Sequence, residues 1–203
     1  MMRWRLLAIV VFGFLVGAIG GATALILTQG AAGPQVKTSG KALIGGPFTL
    51  VDQTGKTVTD KDFRGRYMLV FFGFTHCPDV CPAELQVIAQ ALADLGPKAS
   101  DVVPVFISLD PERDTPAVVG AYVKNFGANF VGLTGSPEAV AAAAKAYRVS
   151  YSKYEYKDSS GSSDYSIDHS TIAYLMDKNG EYVAHFSYGT PAAEMAETLR
   201  RYL

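Results

Sequence analysis

Residues 67–95 read YMLVFFGFTHCPDVCPAELQVIAQALADL, and the reading of this stretch decides the fold. Tyr67 to Phe72 is a continuous apolar run ending at Gly73, the pattern of a central strand covered on both faces. From about Pro82 to Leu95, Leu85, Ile88, Leu92 and Leu95 recur at helical spacing and predict a helix with one buried face. Open α/β sheets bind their ligands at the carboxyl ends of the strands. The segment Gly73-Phe74-Thr75-His76-Cys77-Pro78-Asp79-Val80-Cys81-Pro82 lies at such an end and carries both cysteines of the chain.

The same alternation continues on either side. Phe48 to Val51 and Lys56 to Thr59 flank the turn at Asp52 to Gly55, and Val102 to Leu109 is the next buried strand. Further strands are expected at Asn129 to Leu133, Val149 to Tyr156, Thr171 to Met176 and Glu181 to Tyr188. Three more helices are predicted to start at Thr115-Pro116, Ser136-Pro137 and Thr190-Pro191 and to end near Asn125, Tyr147 and Tyr202. A hydroxyl residue at the N-cap satisfies an orphan amide, and proline at the first helical position loses nothing. Lys157 to Ser166, which contains the Ser/Gly/Asp-rich run Asp158 to Asp164, reads as an exposed mobile loop. Mixed strands and helices of this kind predict an α/β domain with helices on both faces of a central sheet.

The N-terminal region has a different character. Leu6 to Leu27 is a run of 22 residues without a charge, preceded by Arg3, Trp4 and Arg5, and it is long enough to cross a hydrocarbon core of about 30 Å. It reads as a single transmembrane helix with residues 1–5 in the cytoplasm and the rest of the chain exported, in a bacterial inner membrane with the domain in the periplasm. A cleaved signal peptide is the competing reading, since Ala22, Ala24, Ala31 and Ala32 offer small residues for cleavage, but the run exceeds the length of a signal core. Gly13, Gly17 and Gly21 form two small-xxx-small spacings, a helix-contact pattern that glycine's frequency in membrane helices also produces. Residues 28–46, rich in Gly, Ala, Gln, Ser and Thr, read as a flexible tether, and 47–203 as the folded domain.

Composition narrows the functions. A formal charge of −1 offers no polybasic face, so no nucleic acid partner is expected, and 49% hydrophobic residues exclude disorder. Two cysteines form at most one pair. A purely structural disulfide across so short a loop would contribute only about 2 kcal/mol. Prolines at 78 and 82 around Asp79 do not look like core, which leaves redox chemistry or metal binding. Both thiols lie beside a helix N-terminus, where the partial positive charge favours thiolate. Dithiol oxidoreductases usually have two residues between their cysteines; here three intervene. Soft thiolates select Cu(I), and an added imidazole lets a site accept Cu(II) as well. The chain has three histidines. His76 adjoins Cys77 and points away from it, and His185 sits within a strand alternation; His169, in Ile167-Asp168-His169-Ser170, lies in a loop leading into a strand and can face the cysteines across the sheet end.

Three segments together resemble the Sco/SenC family of copper-binding assembly factors: Gly73 to Pro82, Ser108-Leu109-Asp110-Pro111-Glu112-Arg113-Asp114-Thr115-Pro116, and Asp168-His169 followed by Tyr174-Leu175-Met176-Asp177. They occur in the family's order, and the similarity runs from about Phe48 to Leu203. The resemblance implies a thioredoxin-like fold with one copper ion per chain, Cu(I) or Cu(II), held by Cys77, Cys81 and His169. It also implies a client, subunit II of cytochrome c oxidase, whose dinuclear copper centre such proteins help build by delivering copper, reducing its cysteines, or both; another copper chaperone would be the donor. Thioredoxin-type reductases place a proline in the loop facing the dithiol, and Asp168 to Thr171 contains none.

Other residues carry paired readings. Asp79 is a tuner of the thiolates or an exposed helix-entry residue, and Asp168 is an orienting partner of the imidazole or too close in sequence to reach it. Asp110 to Pro116 is a partner-docking loop or a salt-bridged helix entry, and Tyr147, Tyr151, Tyr154, Tyr156 and Tyr165 form a recognition surface or edge-strand alternation. As an oxidoreductase, Cys77 would attack a client disulfide and Cys81 resolve it. A thiol peroxidase fits less well, because its threonine stands one residue further from the cysteine.

Overall fold

A computed structural model describes residues 43–157 and 163–203; the expected anchor at 6–27 and most of the expected tether lie outside them. Among the described residues no helix is long and apolar enough to cross a membrane. The strands are β1 (Thr49–Asp52), β2 (Thr57–Thr59), β3 (Tyr67–Gly73), β4 (Val102–Ser108), β5 (Val131–Thr134), β6 (Tyr151–Lys157), β7 (Ser163–His169), β8 (Ile172–Met176) and β9 (Tyr182–Ser187). The helices are α1 (Val80–Leu95), α2 (Pro116–Val123), α3 (Pro137–Ala146) and α4 (Ala192–Tyr202).

Seven strands form one mixed sheet in the order β2-β1-β5-β4-β3-β8-β9, with β3, β4 and β5 parallel and β8 antiparallel to β3. Side chains alternate across β3 and β4. Leu69, Phe71 and Phe106 meet Leu85 and Ile88 of α1, Val119 of α2 and Leu199 of α4 on one face. Val70, Phe72, Val105 and Ile107 meet Val140 and Ala143 of α3, and Tyr147 just after it, on the other. Helices thus cover both faces, as the apolar runs require.

Two of the three Ser/Thr-Pro starts cap as expected. Thr115 accepts from the Val118 amide and Ser136 from the Ala139 amide. The third does not: Pro191 itself is the N-cap of α4, and the Thr190 hydroxyl donates back to the Ser187 carbonyl instead.

Two expected boundaries are corrected. Folded structure begins before Pro47, because the Gly45 amide donates to the Ala146 carbonyl at 2.9 Å and Ile44 packs against the core beside α3. Where they are described, the expected loop from Lys157 to Ser166 and the loop around His169 are strand as far as His169: Lys157 ends β6, and β7 pairs with β6 from Ser163 to His169, as a two-stranded ribbon separate from the main sheet. Of that run, only 158–162 lie outside the described residues.

Candidate metal centre

Three segments converge where β3 ends. The first is the loop from Gly73 into α1. Gly73 is there because nothing larger fits: a Cβ at this position would lie 2.8 Å from Cys81 Sγ and 3.0 Å from the Phe106 ring. Cys81 enters the first turn of α1 and is fully buried, whereas Cys77 precedes the helix and is half-buried. Both are free thiols, and the Cys81 amide donates to Cys77 Sγ at 3.3 Å.

His169, at the end of β7, completes the cluster with Nε2 3.4 Å from Cys81 Sγ. Its Nδ1 lies 3.0 Å from the Ser170 carbonyl, which can only accept, so Nδ1 carries a hydrogen there and Nε2 is the nitrogen that faces the sulfur. The rings of Phe71 and Phe74 stand edge-on to the imidazole at centroid distances of 6.2 and 6.0 Å. Of the other histidines, His76 is exposed beside Thr75, and His185 takes the Tyr182 hydroxyl at 2.6 Å on the far edge strand.

The two thiols differ sharply. The hydrogen bond from Cys81's thiol, aided by His169 and by the amides of Cys81 and Asp79, outweighs burial and holds Cys77 at about 4. The same bond, then burial, then the negative charge of Cys77 push Cys81 far above the ordinary thiol range. The pair thus keeps one proton at neutral pH, with the thiolate on the accessible sulfur.

The Asp110 to Pro116 segment holds the cluster together, a role not read from the sequence. Asp114 is fully buried and accepts from the Thr75 amide at 3.0 Å, the Thr75 hydroxyl at 2.5 Å and the Ser108 hydroxyl at 2.5 Å, pinning the cysteine loop to β4. Asp110, also buried, accepts from Arg113 Nε at 2.5 Å and from the Tyr165 hydroxyl at 2.8 Å. Arg113 reaches on to the Tyr165 carbonyl at 3.1 Å and to Asp164 at 3.2 Å, and its guanidinium lies 3.6 Å from the Tyr165 ring centroid. Lys153 stands 3.6 Å from the same centroid and pairs with Glu112 at 2.9 Å. One short segment therefore grips the cysteine loop with Asp114 and the ribbon bearing His169 with Asp110 and Arg113.

The remaining sequence candidates separate. Asp79 is exposed and acts on Cys77 through its amide rather than its carboxylate. Asp168 is exposed opposite Ser152, and the Ser170 carbonyl takes the orienting role considered for it. Tyr147 leaves the tyrosine cluster for the core, where its ring meets Phe72 and Tyr174. Tyr151, Tyr154 and Tyr156 are exposed on β6.

The donor chemistry fits a soft metal ion: two sulfurs, one already a thiolate, and an imidazole lone pair within one cluster. Among the described residues no three His, Cys, Asp or Glu side chains form a ready-made cage; Cys77 Sγ takes the Cys81 amide and Cys81 Sγ contacts His169, and holding an ion means exchanging those contacts.

Residues 36–203 match the SCO1/SenC family model. This chain belongs to the SCO1/SenC family. The mitochondrial SCO1 homolog of Homo sapiens is 44% identical over 81% of this chain and 54% of that protein. The chain spans about half the length of the first curated Sco relatives it matches. Arabidopsis thaliana ScoI with copper bound superposes with a TM-score of 0.74 at 44% identity, covering 78% of this chain and 97% of that one. Bradyrhizobium japonicum ScoI with copper bound gives 0.71 at 46% identity, covering 79% and 99%. The central mixed sheet covered by helices on both faces is the thioredoxin-like Sco fold.

Proposed function

We propose that this chain is a membrane-anchored copper-binding assembly factor. It delivers copper to the dinuclear centre of cytochrome c oxidase subunit II, maintains the thiols of that centre, or does both. Cys77, Cys81 and His169 would hold one copper ion per chain, two thiolates suiting Cu(I) and the imidazole admitting Cu(II). The observation that carries this reading is the 3.4 Å approach of His169 Nε2 to Cys81 Sγ, which a ribbon outside the main sheet makes possible. Copper-bound relatives at 44% and 46% identity support it. Cys77 offers a thiolate at neutral pH on the accessible side, where cargo enters and leaves; Cys81 gives up its proton as the ion is held. The proposed setting is a single-pass anchor at residues 6–27 in a bacterial inner membrane, with the domain in the periplasm and another copper chaperone as donor.

A second reading is thiol–disulfide exchange, favoured by the accessible low-pKa thiol beside a buried partner. Cys77 would attack a client disulfide and release one client thiolate. Cys81 would then displace the second, leaving a Cys77–Cys81 disulfide. His169→Ala in the full chain separates the two readings. The parent is expected to bind one copper per chain with a thiolate-to-Cu(II) charge-transfer band. The variant should lose that band and keep dithiol exchange nearly intact. Equal loss of both would defeat this division of roles, and a parent without stoichiometric copper would leave only exchange.

A further inference from the structure

We propose that a groove between the cysteine loop and the ribbon is where the client docks, and that its occupant is an extended, uncharged stretch of polypeptide carrying the thiols that accept copper. The inference rests on the copper-delivery reading and deepens it. The groove has a volume of about 490 Å³ and is lined by His76 and Pro78 from the cysteine loop and by Tyr154, Tyr156 and Tyr165 from the ribbon. Its size is that of a ligand site. His76 and Pro78 are the chain neighbours of Cys77, so an occupant of the groove lies beside the more accessible of the two thiols.

The ribbon wall serves no core. Tyr154 and Tyr156 are 46% and 43% exposed, and the register sets them opposite Ser166 and Asp164, so all four share one face of the ribbon. The two rings pack at a centroid distance of 6.4 Å, and the Tyr156 hydroxyl donates to Asp164 at 3.2 Å, which orients the wall before anything docks. Tyrosine gives a large contact area for few torsions and is enriched where binding energy concentrates. The charges lining the groove are matched within the domain: Arg113 pairs with Asp110 and Asp164, and Asp164 also accepts from the Tyr165 amide. A charged side chain entering here would shed water without gaining a counter-charge, so an uncharged segment fits. Among the described residues β6 pairs with β7 alone, and its outer edge offers main-chain donors and acceptors that an extended segment can use.

The thiol requirement follows from the cargo. Cys81 is fully buried and Cys77 half-buried, so an incoming sulfur reaches the metal centre from the Cys77 side. Transfer then moves Cu(I) alone. Each client sulfur forms its bond to the ion as a sulfur of the pair lets go, the protons of the incoming thiols pass to a released sulfur or to water, and no electron changes hands. Docking in the groove turns this exchange between two proteins into one between neighbouring groups.

Replacing Tyr154→Ser and Tyr156→Ser together strips the ribbon wall at exposed positions. As the metal-free, reduced full chain, the double variant should bind the copper domain of cytochrome c oxidase subunit II about tenfold more weakly than the parent. Loaded, it should deliver copper to that domain correspondingly more slowly. Its copper stoichiometry, its charge-transfer band and its rate of transfer to glutathione, a thiol too small to need the groove, should match the parent's. Unchanged affinity for the subunit II domain would overturn the inference. So would an equal slowing toward glutathione, which would mean that the tyrosines shape the metal centre and not the docking. A parent that holds copper yet neither binds nor loads the subunit II domain defeats the delivery reading itself, and this inference falls with it; that result is visible before the variant is made.

Discussion

Gly73 and Cys81 form a lock whose two halves differ in legibility. The cysteine is obvious in the sequence, whereas the glycine reads there only as the end of an apolar strand. Its reason is three-dimensional, since a Cβ would press on Cys81 Sγ at 2.8 Å, Phe106 at 3.0 Å and Phe71 at 3.2 Å. None of these atoms is the tip of a long flexible chain, so the strand or the helix start must shift. Gly73→Ala should therefore destabilise the domain by about 1–3 kcal/mol, the usual range for overpacking. Urea unfolding of the reduced protein checks this, and an unchanged midpoint would mean that the thiol has room to retreat.

At the level of elements, the ribbon of β6 and β7 brings His169 to the thiols, and little apolar burial holds it there. Every residue of β6 is exposed, and in β7 only Ile167 is buried. What ties the ribbon down is Asp110, Arg113 and the Tyr165 ring. Arg113→Ala removes the cation from a carboxylate that stays buried, a change that costs about 3–5 kcal/mol where such a pair is broken. The expected outcome is local: amides of residues 163–169 should exchange faster while those of β3 keep their protection, and copper binding should weaken with the displaced imidazole. Equal deprotection of β3 would show that the clamp supports the whole domain instead. This element also marks where reading the sequence failed. β3, β4 and the helices were legible because burial writes period-2 and helical patterns into their residues. β7 was not, because Ser163 to Ser166 has no apolar alternation and its strand form comes from pairing and from a cation stacked on a ring. Asp110 to Asp114 was recognisable as a motif, yet its two grips depend on Thr75 and Tyr165, which lie far away in sequence.

Across the whole molecule, stability should respond to one buried acid that no site uses. Glu84 on α1 is 1% exposed, and one of its carboxyl oxygens has no partner among the described residues. Burial pushes the group up to about 7 against the opposing pull of the Gly189 amide, in the turn before α4. In the unfolded chain the same carboxyl titrates near 4.5. Between these values the folded protein holds a proton that the unfolded chain has released, so unfolding releases a proton and stability falls as pH rises through the window. Below it Glu84 contributes nothing to the slope; above it the penalty is constant, on the order of 3 kcal/mol at 1.36 kcal/mol per pH unit. Glu84→Gln cannot ionise. Urea-unfolding free energies measured from pH 4.5 to 8 should therefore decline more steeply for the parent than for the variant, with the variant gaining on the parent as pH rises. Parallel profiles would mean that Glu84 is ionised in the folded state and has found a partner for its charge, which would in turn require α1 and the Gly189 turn to sit differently around it.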